Sequence, residues 1–253
     1  MREDSRNFFG MRSALFITVI LAAAAIAGTM LFAPPVAQSE AYHSFADTRT
    51  IAGIPNGWNV LSNLGFLVAG VVTLRRARRA AGITFGIGLL LTSIGSSVYH
   101  LQPNDATLLY DRAGMVVALM AVIALLIDEY DGRNMIPVLV AAEAIGIASL
   151  VVWKTTGDLR LYGVVQFFPG LLILVLTMRR RTHPSLLWVI VFYAIAKACE
   201  SFDRPIFDAL RIVSGHTLKH LAAAIATLVI TFALIERDKT EGQAESLSYT
   251  DTA

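Results

Sequence analysis

Five residues have types and spacings that could do hydrolytic chemistry together: Ser96, His100, Asp111, His216 and His220. Ser96 and His100 are four apart, as are His216 and His220, so within helices each pair shares a face. Two histidines from one helix and a third from a neighbour offer three nitrogen ligands. Open zinc sites use that arrangement, with water in the fourth position. Cys199 is the single cysteine, which excludes a thiolate-rich site and an internal disulfide framework, and neutral imidazole suits zinc. Such a metal would bring water toward a pKa of about 7 and polarise a substrate carbonyl. Asp111 could then take the water's proton or orient a ligand, and Ser96 could hold a ligand or donate to a developing oxyanion. Plainer readings compete: a lone histidine at a helix end is often interfacial, and His-x-x-x-His pairs also arise by chance.

The elements that must position these residues read as membrane spans. The chain has 253 residues, 55% hydrophobic and 16% charged, with a mean hydropathy of +0.61. A soluble domain carries about 25% charged residues. The net charge of +2 gives no reason to expect nucleic acid as a partner, and no phosphate-cradling loop, dinucleotide fingerprint or nucleophile elbow is present. A span needs about 20 mostly apolar residues. Eight segments qualify, near Ala14–Phe32, Trp58–Leu74, Ile83–His100, Leu108–Ile127, Met135–Trp153, Leu161–Met178, Ser185–Phe202 and Ile212–Ile235. The expectation is an all-α polytopic membrane bundle, with a seven-helix core over 56–235, one extra N-terminal helix at 14–32, and a disordered cytoplasmic tail over 236–253. The first run has a basic start and is followed by Ala33-Pro34-Pro35-Val36-Ala37, but it is longer than a signal-peptide core, so a retained helix is preferred.

Basic residues orient the bundle. With the N-terminus cytoplasmic, inward segments hold thirteen of the Lys and Arg, including Arg75–Arg79, Arg133 and Arg179–Arg181, whereas outward segments hold five. That favours N-in and C-in, and it brings His100, Asp111, His216 and His220 to the outer face together. Intramembrane ionisable groups are functional by default, which strengthens the joint site. Lys197, Glu200, Asp203 and Arg204 form a second cluster, read first as a structural ion network, with Lys219 a candidate partner of Glu200 or Asp203. Arg112 reads as a snorkelling anchor, and Asn59, Ser62 and Asn63 as interhelical glue. His43 and His183 fall in loops and are expected to be solvated.

Asn59-x-x-Ser62-Asn63, Gly95-Ser96-x-x-Tyr99-His100, Asp111-Arg112-x-x-Met115 and Ser214-Gly215-His216-Thr217-Leu218-Lys219-His220 resemble the alkaline ceramidase family. The wider group also holds adiponectin-receptor-like and haemolysin III-like proteins, and the last two motifs are most similar to bacterial members. The resemblance runs from about Asn56 to Ile235. It implies zinc held by His100, His216 and His220, Ser96 and Asp111 as the accompanying catalytic pair, and hydrolysis of an amide-linked membrane lipid such as ceramide. For a bacterial member it implies the inner (plasma) membrane. Two positions depart from the family's pattern. Asn56 stands where eukaryotic members carry a calcium-binding glutamate, with only Glu40 and Asp47 upstream. Lys219 stands where members usually carry Trp, which alters the wall of the lipid tunnel. A receptor with a structural metal, a transporter built on Lys197, Glu200 and Asp203, and a hydrolase of phospholipids or N-acyl amino acids remain alternatives.

Overall fold

Seven helices are each long and apolar enough to cross a bilayer: Gly57–Arg76, Ala80–Leu101, Asp105–Glu129, Ile136–Thr156, Arg160–Met178, Pro184–Ser201 and Gly215–Ile235. They coincide with the seven expected core spans to within a few residues. The structure, a computed structural model, describes residues 2–131, 135–179 and 182–235. Arg133, Arg180, Arg181 and the tail expected to be disordered lie outside the described residues. Among those described, the protein is all-helical apart from an isolated bridge between Ile51 and Ile54. In chain order the helices are α1 (Arg2–Phe32), α2 (Gly57–Leu61), α3 (Leu64–Arg76), α4 (Ala80–Leu101), α5 (Asp105–Asp131), α6 (Ile136–Thr156), α7 (Arg160–Met178), α8 (Leu187–Ser201), α9 (Asp203–Leu210) and α10 (Gly215–Ile230). One continuous apolar core runs between them, with Phe85, Leu89, Leu126, Leu172, Ile173 and Leu176 fully buried. Leu67, Val68, Ile94, Val140, Ile147, Val151 and Trp188 are exposed on the bundle's outside. That is how a protein solvated by lipid distributes its apolar side chains.

The extra N-terminal helix, α1, lies against α7, and its apolar part is the shorter run Thr18–Phe32. Arg160 Nη1 donates to the carbonyls of Met30 (3.1 Å) and Ala33 (2.8 Å), joining the end of α1 to the start of α7. The Arg160 hydrogen bond in turn holds the Asp158 carboxyl down to about 2. This pair therefore supports the junction above the usual carboxylate range and stops doing so only as the pH falls toward 2.

The first core span is not one smooth helix. Ser62 Oγ and Asn63 Nδ2 both donate to the carbonyl of Asn59, at 2.9 and 3.0 Å. The Asn63 amide bonds instead to Val60, one residue short of the α-helical partner. Side chains have thus competed with the backbone for one acceptor and broken the ladder between α2 and α3. The break sits where Ser62 must reach toward α10.

Helices α4 and α5 meet backbone to backbone. A Cβ on Gly95 would lie 2.2 Å from the Tyr110 carbonyl oxygen, and one on Gly114 would lie 2.3 Å from the Thr92 nitrogen. Only hydrogen fits at either place. Because Ser96 follows Gly95 and Asp111 follows Tyr110, this contact also sets the distance between those two side chains. Gly95→Ala should force the helices apart and lower thermal stability by several degrees, measured by the melting temperature of the purified protein in detergent.

Candidate metal centre

His100 sits on the last turn of α4, and His216 and His220 on the first two turns of α10. All three are at least 95% buried. One ring nitrogen from each comes within 4.8 Å of the others, and among the described residues no other group of His, Cys, Asp and Glu is arranged this way. The rings form a nearly equilateral triangle, with centroids 4.8, 4.9 and 4.9 Å apart.

The local sequence explains how α10 presents its pair. Ser214 caps the helix, its side chain accepting from the Thr217 amide at 3.2 Å. Gly215 lets α10 start against α8, since a Cβ there would meet the Cys199 carbonyl oxygen at 2.1 Å. Asp203, at the start of α9, accepts the His216 amide at 2.7 Å. A carboxylate at a helix N-terminus is well placed for those free amides.

Tautomers follow from the hydrogen bonds. With the Ser62 hydroxyl hydrogen assigned to the Asn59 carbonyl, its oxygen accepts from His220 Nδ1 at 2.7 Å. Nδ1 of His220 therefore carries the proton, and Nε2 presents a lone pair. That lone pair lies 3.3 Å from His100 Nε2, while His216 Nε2 is buried with no partner. A buried acceptor left unpaired costs roughly 1–3 kcal/mol, which a cation at the centre would remove. Tetrahedral zinc at about 2.0–2.1 Å from each nitrogen requires ligand nitrogens about 3.3 Å apart. The His100–His220 pair has that spacing, and His216 brings a third nitrogen within 4.8 Å of both, so the donor set could hold a dication with one position left open. The Ser62 hydroxyl, read from the sequence as packing glue, orients a candidate ligand. Ser62→Ala should weaken metal affinity about 10–100-fold, measured by competition with a graded chelator.

The segment before α2 covers the triad, and the sequence had no periodicity there to announce it. Phe45 is buried with its ring 4.6 Å from both His100 and His216. The Ala46 amide donates to Asp203 at 2.8 Å, and Asn56 Nδ2 donates to the His100 carbonyl at 2.8 Å. Arg49 reaches across to the carbonyls of Arg211 and Ile212. Burial alone would raise the Asp47 carboxyl, but hydrogen bonds from Arg49 hold it below its ordinary value. His43 is not solvated as expected. Its ring nitrogens lie 2.9 Å from Tyr99 Oη and 3.1 Å from Asp105, and its side chain is 12% exposed. His183 is exposed, as its loop position suggested.

Ser96 and Asp111 are buried, and both line one cavity with His220. The close approach of Gly95 to Tyr110 brings Ser96 and Asp111 to adjoining positions on α4 and α5. The cavity, of about 240 Å³, continues between Phe66, Phe85, Leu89, Ala118, Val122 and Ile230. From His220 to Ile230 along α10 it runs for roughly 15 Å at 1.5 Å per residue.

The ion network of the second cluster forms, with a different membership. Glu200 accepts from Lys197 Nζ at 2.7 Å, Lys219 Nζ at 3.1 Å and Tyr42 Oη at 3.3 Å, whereas Asp203 serves α10 instead. Arg112 does not snorkel. It is 5% exposed and stacked over Trp153 and Tyr162, at 4.1 and 4.6 Å. A guanidinium flanked by aromatic faces is held better inside the bundle than at its rim.

No protein-family model matches this chain, and no curated protein matches it. Fold and geometry therefore define a seven-helix membrane protein with a buried site that could hold a metal ion.

Proposed function

We propose that the chain is a zinc-dependent intramembrane hydrolase that cleaves the amide bond of an N-acyl lipid, ceramide being the substrate favoured by the resemblance to alkaline ceramidases. The observation that carries this reading is a single cavity with two characters. Its polar end holds His220, Ser96 and Asp111, and its depth is apolar enough and long enough to take an acyl chain. Amide hydrolysis of a membrane lipid needs both at once.

Zinc, when bound by the three histidines, would polarise the amide carbonyl and acidify a water molecule. The chain's own groups supply the remaining roles. Asp111 takes the proton of the attacking water and delivers it to the departing amine nitrogen, so one water is added across the C–N bond and a fatty acid and an amine leave. Ser96 donates its single hydroxyl hydrogen to the developing oxyanion. Phe45 and its segment keep bulk water from the triad, which strengthens each of these interactions. The apolar wall positions the acyl chain without selecting among chain types. Placement in a bacterial plasma membrane, N-in and C-in with the site toward the outer face, is part of the proposal and is supported by the arginine distribution.

The test is fatty-acid release from acyl-labelled ceramide, N-acyl ethanolamine and N-acyl amino acid by the zinc-loaded protein in nanodiscs. Release that stops on chelation and returns with zinc is expected. Zinc-loaded protein that cleaves none of the three would contradict the reading and favour a receptor-like protein with a structural metal.

A further inference from the structure

We infer that the mouth of the cavity is a subsite for an anionic group carried on the amine side of the lipid, with Arg112 as its main donor. The inference rests on the hydrolase reading and, among its N-acyl lipids, departs from ceramide in favour of substrates whose amine half carries an anion. Arg112 lines the cavity one residue beyond Asp111 on α5. Its Nη2 donates to Gln38 Oε1 at 2.6 Å, and Trp153, Tyr162 and the more distant Tyr42 ring hold the guanidinium plane. Its Nη1 is buried and has no partner. A guanidinium keeps its charge in proteins and offers five N–H donors, so a buried nitrogen without an acceptor leaves a demand that a bound oxygen anion would meet.

The neighbouring carboxylates do not meet it. Glu200 already accepts from Lys197, Lys219 and Tyr42, and Asp111 faces Ser96. Three cations, Arg112, Lys197 and Lys219, line the cavity against two carboxylates, Asp111 and Glu200. That excess of positive charge disfavours release of an amine that leaves as a bare cation. It suits an amine that carries its own carboxylate, since the leaving group is then zwitterionic. Position decides which half of the lipid holds the anion. The acyl chain occupies the apolar depth, and Arg112 adjoins the residue that protonates the amine nitrogen. The anion therefore belongs beside the amide nitrogen, as the carboxylate does in an N-acyl amino acid.

The probes are N-palmitoylglycine, its methyl ester and palmitate, used with the full-length zinc-loaded protein in nanodiscs. The free acid should be cleaved with at least a tenfold higher kcat/KM than the ester. Arg112→Gln should reduce that ratio at least tenfold, and Arg112→Lys should reduce it less. Equal cleavage of acid and ester by the native chain would overturn the inference, as would a ratio that Arg112→Gln leaves in place. The native-chain comparison decides the matter even where the variants fail to fold. Trp153 emission, in a Trp58→Phe, Trp188→Phe background, reads binding separately from turnover. If no amide lipid is cleaved, the hydrolase reading fails. The subsite then stands if acid binds at least tenfold tighter than ester, and falls if it does not. Palmitate binding as tightly as the N-acyl acid, with the same dependence on Arg112, would assign the subsite to the fatty-acid product and overturn the inference.

Discussion

His216→Ala should remove both the metal and the activity, lowering amide hydrolysis by at least about 10³-fold. His216 has no substitute among its neighbours. Its Nε2 is buried without a protein partner, and the triad is the one group of its kind among the described residues. With two ligands left, the site would hold a dication far more weakly, and the remaining imidazoles would lose the charge that offsets their facing lone pairs. The backbone bond from His216 to Asp203 and the Ser214 cap do not involve the imidazole. The helix should therefore persist, and circular dichroism should separate loss of metal from loss of fold. A variant that keeps a full equivalent of metal would show that the ligand set is wrong.

Asp111→Ala should behave differently. It should retain the metal and still lose about 10²- to 10⁴-fold in kcat, the usual contribution of a positioned proton-transfer group. Asp111 is not among the three converging ligands, yet it shares a cavity with His220 and Ser96. Metal analysis and fatty-acid release on the same sample would show the split. Loss of metal along with activity would move Asp111 from proton transfer to holding the site together. Activity that survives without Asp111 would contradict its assigned role.

The seven core helices were legible because lipid demands long apolar runs, and because Arg75–Arg79 and Gln102–Thr107 punctuate them sharply. The convergence of His100 with His216 and His220 was legible from i, i+4 spacing and span polarity, since both place residues at one end of a bundle without knowledge of tertiary packing. Contacts that depend on that packing were not legible. Ser62 looked like glue because its partner lies 158 positions away on α10. The break beside it depends on which donor wins the Asn59 carbonyl. Phe45 lies in a stretch without periodicity, and Asp203 opens the short helix α9, where its bond to the His216 amide depends on how α9 packs against α10. Arg112 was misread because an arginine near a span end is usually drawn to the rim. Here Trp153 on α6 and Tyr162 on α7 supply aromatic faces that keep it inside.

The decisive measurement is the metal content of the purified protein after expression with added zinc and extensive washing without chelator. One equivalent of zinc per chain is expected, falling below about a tenth of an equivalent in His216→Ala. Wild-type protein that is folded and monodisperse but carries no stoichiometric metal would contradict the zinc assignment.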